Sequence, residues 1–120
     1  MSQTRAQLTD PLASRSASIA NPVSTEKLVL TFFTTAQKVS QIRSLVLGTT
    51  PSVTFSIRYG TDVSAAGTEV VTGGITCTNT TTGLSTTTFS NDSIPANNFV
   101  WLTTSATSGT VNSLNVTVIF

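Results

Sequence analysis

The chain holds five carboxylates, Asp10, Glu26, Asp62, Glu69 and Asp92, and one thiol, Cys77, but no histidine. The commonest general base, triad partner and zinc ligand is therefore missing. A glycosidase needs only two carboxylates about 5 to 10 Å apart, yet no two of these five lie close in sequence, and Asp62 and Asp92 fall in turn-like stretches. Two turn aspartates make a thin oxygen-ligand set for calcium, and no Cys/His cluster exists for zinc. The glycines punctuate hairpin-like turns rather than a strand-to-helix junction, so neither a phosphate loop nor a dinucleotide fingerprint is present. Three tripeptides, Asn79-Thr80-Thr81, Asn91-Asp92-Ser93 and Asn115-Val116-Thr117, match the glycosylation sequon, a match that so much Ser and Thr produces by chance. Cys77 is alone, so no intrachain disulfide forms, and it reads as a small strand residue. These residues predict no enzyme, no metal and no cofactor.

Recognition chemistry is equally sparse. Only 9% of residues are charged, against roughly 25% in an average soluble domain, while Ser and Thr supply 41 of the 120. Lys27, Lys38, Arg43 and Arg58 are scattered singly and the net charge is +1, which argues against nucleic acid as a partner. No apolar run approaches the roughly 18 residues that span a bilayer, and the N-terminus lacks the apolar middle of a signal peptide, so a soluble, cytoplasmically made chain without a membrane partner is expected. Weak charge gives little protection from self-association, which suits an obligate neighbour. Trp101 and Tyr59 are the pair that could stack on a sugar, making a glycan-binding module an alternative. Against it, Trp101 sits among Phe99, Val100 and Leu102, a setting that fits a core strand better than an exposed platform.

The elements that would carry these residues read as strands. In SVTFSIRYG, Val53, Phe55, Ile57 and Tyr59 alternate with Thr54, Ser56 and Arg58, the pattern of a half-buried strand. Leu114, Val116, Val118 and Phe120 repeat it, so the chain is expected to end inside the sheet, without a C-terminal tail. EKLVLTFF and NFVWLTT are apolar on both faces and predict strands covered on both sides. KVSQIRSLVLG, GTEVVTGG, ITCTNTTTG and LSTTTFS are short, β-branched segments bounded by Gly48, Pro51, Gly60, Gly67, Gly73-Gly74, Gly83, Pro95 and Gly109. The Thr-rich ones have little to bury and belong on exposed faces or edges. The expected fold is all-β: an antiparallel β-sandwich or jelly-roll of about eight strands in one domain over residues 27–120. Residues 1–26 show neither period and read as an extended N-terminal arm, with Leu8, Leu12, Ile19 and Val23 as separated apolar points for docking on a partner. Phe99, Trp101, Phe55, Tyr59 and Phe120 are expected in the core or at a subunit interface.

Four blocks in order, PSVTFSIRYGTD, GTEVVTGG, SIPANNFVWLTTSATSGTV and LNVTVIF, resemble a small β-domain of tailed-bacteriophage virion structural proteins, over roughly residues 27–120. The resemblance implies a capsid cement or decoration protein, trimeric on the outer face of the major capsid protein lattice, and located in the virion after assembly in the host cytoplasm. Head fibres and tail appendages use similar domains and stand as the alternative within that class. The arm has no counterpart in these blocks.

Overall fold

The computed structural model describes residues 14–120. Nine strands run through them: β1 (Ser14–Ala20), β2 (Lys27–Phe33), β3 (Gln37–Lys38), β4 (Gln41–Gly60), β5 (Thr68–Glu69), β6 (Ile75–Cys77), β7 (Leu84–Thr86), β8 (Ser93–Ile94) and β9 (Asn98–Ile119). There is no helix among the described residues, and every strand pairing is antiparallel. The fold is the expected all-β antiparallel sandwich, built in a way that the turn residues conceal.

Its frame is one long ribbon. β4 and β9 pair from Gln41↔Ile119 at one end to Gly60↔Phe99 at the other. β1 and β2 follow one another along the free side of β9, while β7, β6 and β5 line the free side of β4. The two halves of the ribbon fold toward each other. Phe33 on β2 and Phe120 just past β9 belong to opposite ends of the register, yet their rings meet edge-on with centroids 4.8 Å apart.

The fold-over happens at Gly48–Ser52 and Ser108–Val111. There the register slips, between Leu47 and Gly48 and again between Thr49 and Ser52. Gly48, Thr50 and Gly109 take φ of 147°, 45° and 71°. Such slips bend a ribbon and change which alternate residues face inward. Before the corner Ile42, Ser44 and Val46 are buried; after it the inward set is Val53, Phe55, Ile57 and Tyr59. Each half thereby turns an apolar face to the other. The glycines and Pro51 that predict a break between two strands instead mark a bend within continuous paired strands.

Two further expectations are corrected. Residues 14–20, read as arm, form β1, paired residue for residue with Ser113–Ile119. Backbone pairing and the bonds Ser16–Thr117 (2.9 Å) and Ser18–Asn115 hold it there, with little apolar burial to announce it in sequence. Among the described residues the sheet thus includes 14–20, ahead of the expected start at 27. β2, expected to be covered on both faces, is covered on one. A bulge at Leu30, between Val29 and Thr31, breaks its alternation and leaves Val29 and Phe32 on the same outer side. The short β3–β8 sheet closes one end over Val39 and Ile94, both fully buried.

Candidate functional site

Of the residues expected in the core or at an interface, Phe55, Tyr59 and Phe120 join the main core. Trp101 is wholly buried but outside that cluster. The reason is its parity: Val100 and Leu102 face inward, so Trp101 projects from the outer face of β9, opposite Arg58 on β4 and Val29 on β2. The chain covers it with its own loop. A Cβ placed on Gly67 would lie 2.6 and 2.7 Å from the ring's Cη2 and Cζ2, so the Gly67 backbone lies directly against the indole.

That loop, residues 61–67, is held by two cations. Lys27 Nζ donates to the Val63 carbonyl and Arg58 Nη1 to the Ala66 carbonyl, the latter at 3.0 Å. Asp62 caps the turn, accepting from the Ser64 hydroxyl at 2.6 Å and the Ser64 N–H at 2.9 Å, and these bonds hold its carboxyl below the usual range. Beside the loop lies an open trough of about 380 Å³ lined by Lys27, Arg58, Ser64 and Thr103. Arg58 also reaches Glu69 at 3.4 Å, and Glu69 accepts from the Ser56 hydroxyl at 2.6 Å. The Ser56 bond is the main cause of a lowered Glu69 pKa, opposed by burial and assisted by the Gly73 N–H and Arg58.

Tyr59 points the other way. It lies across from Val100 on the core face, where burial and then the Asp92 charge raise its pKa. Tyr59 and Trp101 therefore sit on opposite faces of the sheet, and the stacking platform that the sequence allows does not form. Among the described residues no group of three Cys, Asp or Glu converges as a metal site, and no helix is long and apolar enough to cross a membrane. Cys77 is fully buried opposite Val53.

What the outer surface does offer is an apolar sheet edge. Phe32 and Phe99 are cross-strand partners with ring centroids 4.7 Å apart, and Val29 lies beside them on the same face. Val29 is 47% and Phe32 43% exposed. Phe99 is half-buried. Among the described residues β2 pairs only with β9, so its other edge is free. Lys27 is the only charge along β2, whereas protected edges usually carry several charges or a proline. Sequence reading missed this site because an apolar run looks the same whether its second face is buried by its own chain or by another.

The arm residues fare differently from one another. Ile19 packs against the chain's own core, and Val23 is 55% exposed at the β1–β2 connection. Leu8 and Leu12 lie outside the described residues. Compared with known proteins, the chain matches no family model, no curated protein and no solved structure.

Proposed function

We propose that this chain is a virion structural protein of a tailed bacteriophage: a cement or decoration protein, homotrimeric, that binds the outside of the major capsid protein lattice and stabilises the shell. The observation that carries the reading is the apolar patch at the sheet edge, Val29 and Phe32 on β2 with Phe99 beside them on β9, in an otherwise hydroxyl-rich and sparsely charged surface. Such a surface suits binding without catalysis: it gives apolar area to bury against neighbours and little field to attract nucleic acid or an anionic membrane. The four sequence blocks that resemble phage virion domains lie on β4, β5, β8 and β9, and so include both strands of the ribbon that frames the sandwich. Cement binding spreads modest affinity over many copies, so no single site needs an elaborate pocket. The same blocks leave a head-fibre or tail-appendage protein as the second reading. A glycan-binding module gains nothing from the geometry, because its two aromatic residues face apart.

The test is to locate the protein in intact particles. Copies covering the shell, together with rebinding of purified protein to particles lacking it, support the cement reading. Copies confined to a vertex or tail move the answer to an appendage, and absence from particles removes the virion reading.

A further inference from the structure

The outer face of the β2–β9–β4 sheet brings two cations to one place. Lys27 on β2 stands across from Thr103 on β9, and from the other side Arg58 on β4 reaches the same residue, its Nε donating to Thr103 Oγ1 at 3.2 Å. With Ser64 they line the trough beside Trp101, and among the described residues no carboxylate lines it. Lys27 gives one ammonium hydrogen to the Val63 carbonyl, which leaves two of its three. Arg58 gives one N–H each to Thr103, Ala66 and Glu69, which leaves two of its five. Thr103 accepts from Arg58, so its own hydroxyl hydrogen is left to donate. The carboxylates that feel these cations, Asp62 and Glu69, are turned into bonds elsewhere: Asp62 to the Ser64 hydroxyl and N–H, Glu69 to the Ser56 hydroxyl as well as to Arg58.

Trp101 adds a buried donor without a partner. Its indole has no exposed surface, and the Nε1–H finds no acceptor among the described residues, although Trp101 is part of the trough wall. A buried donor left unpaired costs about 1–3 kcal/mol, and such orphans are few enough in folded chains that each calls for a cause. We infer that the trough binds a small oxyanion, the phosphate or carboxylate group of a low-molecular-weight compound, held by Lys27, Arg58 and Thr103 with the Trp101 N–H as a further donor. Spare donors on two cations and a hydroxyl, with no carboxylate in the wall, match a group that only accepts hydrogen bonds. The volume of about 380 Å³ falls within the roughly 300–1,000 Å³ of small-molecule sites. A surface so sparsely charged exerts little pull at a distance, so the anion is held by contact rather than steered. This site goes beyond the virion reading and stands whether or not that reading holds.

The test is titration of the ¹⁵N-labelled full chain with sodium phosphate and, separately, with sodium acetate, at an ionic strength held constant with chloride. The chain has one tryptophan, so its indole N–H gives a single resonance. The expected result is a saturable downfield shift as that N–H gains an acceptor; tighter binding of phosphate identifies a phosphate site, and tighter binding of acetate a carboxylate site. Lys27→Gln weakens binding at least about tenfold, the loss of one charge-assisted bond, and Thr103→Val weakens it about threefold or more, the loss of a neutral one. Arg43→Gln, which removes an equal charge from another face, leaves it unchanged. Trp101 emission at short wavelength in each variant shows that the fold is kept, and if Lys27→Gln alone shifts it to the red, Thr103→Val decides. An indole resonance that moves with neither anion overturns the inference. So does an affinity that Lys27→Gln and Thr103→Val both leave intact, or one that Arg43→Gln lowers as much as Lys27→Gln.

Discussion

Trp101 shows how a single residue can mislead when only its type and neighbours are known. An indole flanked by apolar residues suggests either a core or a ligand platform, and the chain makes it neither part of the main core nor accessible. It is covered by the loop of residues 61–67, which Lys27 and Arg58 hold down and whose Gly67 backbone lies against the ring. As the only tryptophan, it should emit at short wavelength and resist acrylamide quenching. Gly67→Ala drives a methyl into the ring at a residue whose φ is 67°; about 2 kcal/mol or more of stability should be lost, with emission shifted to the red. An unshifted, equally stable variant would mean that Gly67 does not seal the ring. Glu69 gives the second prediction at this scale. Its folded pKa is depressed below the ordinary 4.5 by the Ser56 hydroxyl first, against the opposing effect of burial. The stability its ionised form adds is complete above the unfolded value and fades as pH falls through the folded one. Glu69→Gln should therefore lower the melting temperature near pH 7 and flatten its decline between about pH 5 and pH 2. Melting curves parallel to wild type across that range would show that the Ser56–Glu69–Arg58 cluster contributes nothing.

Among the elements, the corner of the β4–β9 ribbon decides the architecture. Gly48 and Gly109 are both required by close backbone approach: an added Cβ would stand 1.9 Å from the Thr110 carbonyl oxygen and 2.0 Å from that of Thr50, respectively. Neither obstacle is a flexible side chain. Gly109→Ala should thus cost about 2–4 kcal/mol and act on both halves at once, seen as one cooperative unfolding transition at lower denaturant. Two separate transitions would mean that the halves are independent domains. The alternation in SVTFSIRYG and LNVTVIF made the inward faces of these strands legible, because one buried face forces period two. The continuity of β4 and β9 was not legible, since glycine and proline are punctuation whether the chain turns or only bends. SRSASIA gave no signal either: its bonds to Thr117 and Asn115 come from serines that look like those of any loop. The candidate site was visible as apolar residues, Phe99 among them, but not as a site. Exposure of β2 follows from a bulge at Leu30 and from the strand's place at the edge, and both are properties of pairing rather than of composition.

At the scale of the whole molecule, charge is the quantity that separates partners. Six cations and five carboxylates are dispersed over 120 residues, and the two ion pairs among the described residues, Lys38–Asp92 and Arg58–Glu69, take up four of those eleven groups. An interface made from this surface buries hydroxyls and apolar side chains and releases few counterions. A protein that grips nucleic acid through six to ten phosphates loses about 10³ to 10⁵ in affinity between 50 and 200 mM salt. On the proposed function, self-association and attachment to a protein shell should change by less than about threefold over the same range, a bound set from the small number of ions exchanged. Sulfate should strengthen both, because it is excluded from apolar surface. The measurement is a sedimentation or pelleting isotherm at several concentrations of chloride and then of sulfate. A steep fall of affinity with chloride would show that the few cations, Lys27 and Arg43 foremost, carry the binding, and would place the working surface on the trough beside Trp101 or on the face around Arg43 and Thr117 instead of on the edge of β2.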